Sequence, residues 1–306
     1  MTNETGITGD YIVKAMALGG SVRVFTTVTT QTVAEAGRLH DMNPTPCAAL
    51  GRVLTGIALM SQTLKTEKDT LTVQIRGDGP IGGIVAVTDA QARVRGYAYN
   101  NHFDMPLNDL GKFDIGGAVG KGYLNVIKDI GMKEPYIGYV DLVSGEIAED
   151  LAYYYAYSEQ IPTVMNLGVL IGAEGKVLAA GGYFIQLMPQ CDESVIERIE
   201  KRIKNLPSVT SMIHDGLNPE ELLHALMGGD REREAEDSYE ILSRCPVGYH
   251  CYCSRERMER NLLSLGRKEL SEIAMDEKGA ELHCHFCNKK YHFNRQQLEN
   301  LLESAR

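Results

Sequence analysis

Four cysteines near the end of the chain, arranged as two close pairs, constrain its folding more than any other feature. The first pair has the form Cys-x-Cys, the second has the form Cys-x-x-Cys, and thirty residues (254–283) separate them. Thiolates grouped in this way suit tetrahedral Zn²⁺, and a short segment with a small core gains stability from a metal. The spacing therefore predicts one structural zinc site per chain with four ligands: Cys251, Cys253, Cys284 and Cys287.

Other interpretations of the thiols remain open from the sequence. The four cysteines are alternatively resting disulfides or unrelated buried thiols, and Cys245 is a spare ligand, a resolving thiol or an ordinary free cysteine. Four histidines are alternative ligands because they lie beside the cysteines: His250, His283, His285 and His292. Four thiolates already close the site, so we expect no histidine ligand and no catalysis by the metal. For Cys47 and Cys191, packing or partial exposure is sufficient explanation.

Composition narrows the classes of partner. The 306 residues carry a net charge of −10, and residues 245–306 contain ten Lys or Arg against nine Asp or Glu. Such surfaces do not attract phosphate backbones, so we expect no nucleic-acid partner. No apolar run approaches the length of a membrane helix, and the first residues lack a secretory pattern. The expectation is a cytoplasmic protein without membrane contact, whose clustered thiols are metal ligands or redox groups.

Residues 1–188 have the pattern of one domain. Alternation at 22–27 and 71–77 predicts strands, and further strands are expected in IGGIVAV, RVRGYAY, YIGYVDLV, VMNLGVLI and VLAAGGYFIQLM. Apolar residues at helical spacing after Pro44 predict a helix that is half buried or better, and a second helix is expected within 146–159. This order favours an α+β fold, with a mixed or antiparallel sheet and helices packed on it, over strict βαβ alternation.

The remaining residues divide into two further segments. Residues 189–244 are predicted to form a metastable linker, helical over DESVIERIEKRIK with Asp192 or Ser194 as its cap. Within it, residues 228–240 are rich in charge and poor in apolar side chains, which predicts a mobile stretch, with a solvated helix as the alternative. Residues 245–306 are the predicted zinc-binding module, which ends in a helix with Leu298, Leu301 and Leu302 on one face.

Nothing in the chain predicts an enzyme. GGAVGKG (116–122) departs from a phosphate-binding loop because Ile115 occupies the first glycine position and Gly122 follows Lys121. Neither a GxSxG nucleophile motif nor a zinc-deaminase pattern is present. The tyrosines of YYYAY (153–157) are typical of packing or of an interface.

Several segments together identify a family. HCYCSRERMERNLLSLGRKELSEI and HCHFCNKKYHF resemble the C-terminal zinc module of the redox-regulated heat-shock chaperone (holdase) family of about 33 kDa. Upstream, GDGPIGGIVAVTD, GYLNVIKD and YYYAYSEQIPT are similar to segments of the same family. The resemblance extends from Asp10 to the final helix. Cys245 is not part of the family's four-cysteine motif and adds a further thiol six residues before Cys251.

This resemblance implies a function that spacing alone does not show. Members of the family bind zinc through the four cysteines when reduced and are then inactive. Oxidation forms one disulfide within each pair, here Cys251–Cys253 and Cys284–Cys287, and releases the zinc. The linker then unfolds, homodimers form, and exposed apolar surface binds unfolded or partly folded client proteins without ATP, which protects them from aggregation under oxidative and heat stress. The resemblance thus implies a chaperone and no enzyme.

Overall fold

The computed structural model describes residues 7–109, 111–189, 191–228, 239–276 and 278–304. Their contacts divide the chain into two units, Met1–His250 and Cys251–Arg306. The predicted mobile stretch at 228–240 lies largely outside the described residues, which omit 229–238. The division into a core (1–188), a linker (189–244) and a switch module (245–306) stays a prediction.

The strands of the first unit are β1 (Tyr11–Ala17), β2 (Val22–Val28), β3 (Thr70–Gly77), β4 (Gly83–Asp89), β5 (Arg93–Ala98), β6 (Gly122–Asp129), β7 (Tyr136–Asp141), β8 (Thr163–Ile171), β9 (Val177–Leu187), β10 (Tyr239–Pro246) and β11 (Gly248–Tyr249). Its helices are α1 (Thr30–His40), α2 (Pro44–Ser61), α3 (Ile115–Val119), α4 (Ala148–Tyr157), α5 (Glu193–Asn205), α6 (Val209–His214) and α7 (Pro219–Met227), and a 3₁₀ turn spans Leu18–Gly20.

Two sheets form this unit. One has the strand order β10-β1-β2-β9-β8 and is antiparallel throughout, and the other has the order β11-β5-β4-β3-β6-β7. Among the strands of the described residues, the short β11 alone pairs in parallel, with β5. In β3 the predicted alternation is confirmed, since Leu71, Val73 and Ile75 are buried while the residues between them are half buried. The predicted α+β fold with antiparallel or mixed sheets is therefore confirmed.

The helix α2 lies at the centre of the main core. It contacts β3, β4 and β5 of one sheet and β2, β8 and β9 of the other. Sixteen of its eighteen residues are buried, because a helix that is apolar around its whole circumference needs cover on every side. The prediction of half burial or better is confirmed. The core also includes the stacked rings of Phe25 and Phe184, 5.1 Å apart.

The helices α5, α6 and α7 contribute to a second core with the five-stranded sheet. Val209, Met212 and Ile213 of α6, together with four residues of α7, pack with β1, β2 and β9. The Asp192 side chain accepts a hydrogen bond from the Ser194 backbone N–H at 2.9 Å and caps α5, as predicted. Residues 193–227 thus bury an apolar face of the sheet.

The second unit is built from short elements: α8 (Arg255–Ser264), α9 (Arg267–Ala274), β12 (Ala280–His283), β13 (Lys290–Phe293) and α10 (Arg295–Ser304). β12 and β13 form an antiparallel hairpin. The core is small and comprises Met258, Leu262, Leu270, Ala274, Cys284, Tyr291, Phe293 and Leu298, with Leu301 and Leu302 packed against it. Across the described ranges of both units, no helix has the length and apolar character needed to cross a membrane.

Candidate metal centre

The first pair of cysteines lies where the second unit begins. Cys251 and Cys253 precede α8, whose first turn is capped by the Ser254 hydroxyl, which accepts a hydrogen bond from the Arg257 backbone N–H at 3.2 Å. The helix therefore fixes the chain immediately after Cys253. Both thiols are half buried against the small core.

The second pair lies in the turn between β12 and β13. The Cys284 N–H donates to the Lys289 carbonyl at 3.0 Å, and the N–H groups of Cys287 and Asn288 donate to the Cys284 carbonyl at 3.3 and 2.8 Å. Asn288 has a φ of +55°, a left-handed conformation that asparagine tolerates better than most residues. These bonds close a tight turn around the second pair, as its spacing predicts.

The four sulfur atoms converge on one point. The Sγ atoms of Cys251, Cys253, Cys284 and Cys287 all lie within 4.8 Å of one another. The Cys251–Cys284 sulfurs are 3.5 Å apart and the Cys253–Cys287 sulfurs are 3.4 Å apart. A tetrahedral zinc site with Zn–S bonds of about 2.3 Å places its sulfurs about 3.8 Å apart. The donor set and its spacing therefore fit a metal ion of this kind.

Burial makes the cluster costly to ionise without a cation. Burial raises the pKa of the Cys287 thiol to about 11 and raises that of Cys251 further. At Cys253 burial also raises the pKa, but hydrogen bonds from Tyr291 and the neighbouring thiols outweigh it and lower the pKa overall. The thiolate of Cys253 is thus favoured, whereas Cys251 and Cys287 resist losing their protons. A bound dication would offset two of the four negative charges and attract all four thiolates, so it would favour their ionised forms.

Tyr291 is a member of the site that sequence reasoning missed. Its hydroxyl donates a hydrogen bond to the Cys253 sulfur at 3.1 Å, and this bond raises the pKa of the tyrosine. The residue is buried and lies on β13, opposite Leu282 of β12. The alternation of KKYHF after the Cys-x-x-Cys turn was the available signal, because it places Tyr291 and Phe293 on the same face of a strand.

The other thiols and the histidines lie outside the cluster. Among the described residues, the group able to hold a metal contains the four cysteines and no histidine. His283 pairs instead with Glu281, at 2.7 Å. Cys245 is part of β10 and packs against the main core, Cys47 is buried in α2, and Cys191 is partly exposed. Cys47 thus packs in the core, as its sequence context allowed.

The segment YYYAYSEQ packs partly into the core of the first unit. Tyr154 and Tyr155 are buried, whereas the rings of Tyr153 and Tyr157 stack on each other at 5.5 Å and are exposed. Glu159 accepts a hydrogen bond from the Lys128 ammonium at 2.6 Å and another from the Tyr154 hydroxyl. These contacts join α4 to β6 and agree with the packing interpretation of the tyrosines.

Comparison with known proteins gives the family. The family model described as Hsp33 protein matches residues 10–294. The 33 kDa chaperonin of Ruminiclostridium cellulolyticum is 50% identical over 295 residues, which cover 96% of this chain and 98% of that protein. The 33 kDa chaperonin of Acetivibrio thermocellus is 50% identical over 294 residues, which cover 96% and 97%. The crystal structure of the 33 kDa chaperonin from Thermotoga maritima has a TM-score of 0.87 and 38% identity, and the match covers 97% of this chain and 99% of that one.

These likenesses span both units and the thiol cluster. The chain is accordingly a two-unit α+β chaperone with a C-terminal four-cysteine cluster able to hold a metal. It belongs to the Hsp33 family. That membership confirms the resemblance drawn from the sequence and the expectation of a chaperone rather than an enzyme, and the cluster is consistent with a redox-regulated holdase.

Proposed function

We propose that Cys251, Cys253, Cys284 and Cys287 hold one Zn²⁺ per chain in the reduced state. Four sulfur donors leave no open position for a substrate, and they suit a borderline-soft ion better than Ca²⁺ or Mg²⁺, which prefer oxygen. When bound, the zinc keeps the sulfurs anionic and contributes about 10–16 kcal/mol to the folding of a small module. The convergence of the four sulfurs, in a chain of the Hsp33 family, is the observation that carries the proposal.

Oxidation of the same sulfurs is the proposed switch. One thiolate of a pair attacks hydrogen peroxide, breaks the O–O bond and becomes a sulfenic acid as hydroxide leaves. The second thiolate attacks that sulfur, forms the disulfide and expels a second hydroxide. Each disulfide leaves two hydroxide ions, which take up two protons from the solvent and become two water molecules. Formation of both disulfides therefore consumes two molecules of peroxide. The thiolate ligands are lost, and the folding free energy of the metal is lost with them.

The proposed disulfides are Cys251–Cys253 and Cys284–Cys287, as the family resemblance implies. The shortest sulfur separations given above join one cysteine of each pair, so the alternative pairing is also within reach. Peptide mapping by mass spectrometry after peroxide distinguishes the two pairings. Recovery of Cys251 linked to Cys284 as the main product would contradict the proposed one.

Client binding follows from the helices that cover the five-stranded sheet. Residues 193–227 bury apolar side chains of β1, β2 and β9, and they precede the thiol cluster in the chain. We propose that loss of the metal loosens the linker (189–244), that the apolar surface so exposed binds unfolded clients without ATP, and that active chains form homodimers. The core (1–188) and the switch module (245–306) are the other two parts of the proposed scheme. The proposed compartment is the reducing cytoplasm.

A client-aggregation assay tests the proposal. An unfolded model client is diluted into buffer with the chain, either reduced and zinc-loaded or treated with peroxide, and aggregation is followed by light scattering. Suppression only after peroxide is the expected result. Cys284→Ser should bind zinc weakly and suppress aggregation without peroxide, whereas the matched Cys191→Ser, outside the cluster, should behave as the wild type. Equal suppression by the reduced and oxidised wild type would contradict the switch.

A further inference from the structure

The free edge of β1 is covered by a strand from much later in the chain. β1 pairs with β2 on one side and with β10 on the other, and the pairing with β10 covers all of Tyr11–Ala17. Five of the seven residues of β1 are buried. The sheet would therefore expose a well-anchored edge strand if β10 left.

β10 itself is weakly anchored through its side chains. None of its residues is fully buried, and its register against β1 shifts at Leu242, which has no partner and is exposed. Two side-chain contacts attach it to α7. Arg244 Nε donates to Glu220 at 2.6 Å, and the Tyr239 hydroxyl lies 3.4 Å from His224 Nδ1. Its other attachments are the backbone ladder, partial packing, and a hydrogen bond between the side chains of Cys245 and Gln62.

The hydrogen bonds between β1 and β10 show which backbone groups of β1 are paired with β10. The Val247 N–H donates to the Asp10 carbonyl at 2.9 Å, so the backbone N–H and C=O groups of Asp10 point towards β10. Successive residues of a strand point to opposite sides, and we therefore assign Ile12, Lys14 and Met16 as the β10-facing residues. Tyr11, Val13, Ala15 and Ala17 are the β2-facing residues. Pro246 fits this assignment because it lies opposite Tyr11, where no N–H is needed.

We propose that this edge of β1 is a strand-acceptor site that β10 occupies in the resting chain and that an extended segment of a non-native client occupies in the active one. The inference rests on the proposed function and names the client-binding site within it. β10 shows the chemistry that fits: an extended strand of about seven residues, held by backbone bonds that do not depend on side-chain identity. Such a site suits clients that share no sequence.

The same geometry gives the site a chemical preference. A client residue opposite a β10-facing residue must supply an N–H, so proline is excluded there and tolerated opposite a β2-facing residue. Apolar side chains are favoured where Tyr239 and Ile241 pack against the core around β1.

The position of β10 in the chain links the site to the thiol cluster. Residues 247–250 alone separate Pro246 from Cys251, and the N-terminal neighbour of β10 in the described chain is α7, which also holds it. Release of the metal therefore acts on the segment directly joined to β10. Unfolding of α7 would break both side-chain contacts between β10 and that helix.

Hydrogen exchange resolved to single amides tests the site in the full chain. The β10-facing amides should be protected in the reduced, zinc-loaded protein, exchange at least about tenfold faster after peroxide, and regain protection when unfolded citrate synthase is bound. The β2-facing amides are the internal control, because β2 protects them in every state.

Each other outcome counts against the inference. The inference would be overturned if the β10-facing amides kept exchanging rapidly while a client is bound. It would also be overturned if these amides stayed protected throughout oxidation. Protection that returns without client and rises with protein concentration would assign the edge to a second copy of the chain. Absence of client binding in every state would remove the proposed function as well, so the two failures are distinguishable.

A disulfide lock supplies an independent test. Met16 and Glu240 are directly opposed, and such pairs have Cα separations of about 5.5 Å, which suits a disulfide. Peroxide should close the bond in the Met16→Cys/Glu240→Cys variant, still release the zinc, and reduce client suppression by about tenfold relative to either single variant. Full suppression with the lock closed, as verified by mass, would overturn the inference.

Loosening β10 should have the opposite effect. Arg244→Ala removes the bond to Glu220 and should speed exchange of the β10-facing amides even in the reduced chain. Arg38→Ala removes a comparable surface pair, with Glu35, and is the matched control. Equal exchange in the two variants would show that α7 does not hold β10 through this contact.

Discussion

Leu298→Ala should weaken zinc binding although the residue is not a ligand. The side chain is fully buried in the small core beside Tyr291 and Phe293, and such truncations cost about 2.7–5 kcal/mol. A core of this size supplies only a few kcal/mol, so without metal the module should be unfolded. Binding and folding are then one step, and a loss of about 3 kcal/mol should weaken the apparent zinc affinity about 150-fold.

The assay is a competition titration of the full chain against a chromophoric zinc chelator at fixed pH under reducing conditions. Leu265→Ala is the matched control, because Leu265 belongs to the same module but is 45% exposed, and its affinity should stay within about threefold of wild type. Equal affinities of the Leu298→Ala chain and the wild type would refute the reasoning, since they would mean that the metal-free module is already folded.

Three further predictions concern the first unit and the linker. Asp150→Asn should destabilise the first unit by about 2–3 kcal/mol in urea unfolding, because the buried carboxylate accepts backbone N–H bonds from Val143, Ser144 and Ile147, and an effect below about 0.5 kcal/mol would contradict this. Burial raises the pKa of Cys47 from 9.0 to about 11, so the unfolded thiol ionises first. The stability that the protonated Cys47 contributes is present below about pH 9, about 2.3 kcal/mol of it is lost by pH 11, and the full loss of about 2.7 kcal/mol is reached above pH 11. The stability difference between wild type and Cys47→Ala should shrink accordingly, and a constant difference would contradict it. After peroxide, limited proteolysis should cut within 189–244 before 1–188, and uniform cutting would count against a linker that loosens first.

The thiol cluster was predictable because its information is local. Two close pairs of cysteines define a donor set before any tertiary contact is known, and the structure brings all four sulfurs together. The strand of Leu71, Val73 and Ile75 was predictable for a similar reason, since alternation records which face is buried. Tyr291 carried only a weak signal, because its role depends on where the turn places Cys253.

Non-local pairing explains what the sequence did not predict. The sequence assigned residues 239–244 of β10 to the linker and the last two residues to the zinc-binding module, and predicted no strand there. They form a strand because β1, more than two hundred residues earlier, offers its edge. The separation of the strands into two sheets around α2 has the same origin. The burial pattern of a strand does not name its neighbour: β3 and β5 alternate, whereas β9 is buried along nearly its whole length. The choice of partner is made by packing on both sides of one apolar helix.

The most direct test of the account follows zinc release and client protection in one sample. The reduced, zinc-loaded chain is treated with peroxide, and aliquots are assayed in parallel for free zinc, with a chromophoric indicator, and for suppression of client aggregation. The account predicts about one zinc released per chain and no suppression before release begins. Full suppression by the zinc-loaded chain, or complete release that leaves suppression absent at every time, would contradict the claim that the four-cysteine cluster controls the chaperone.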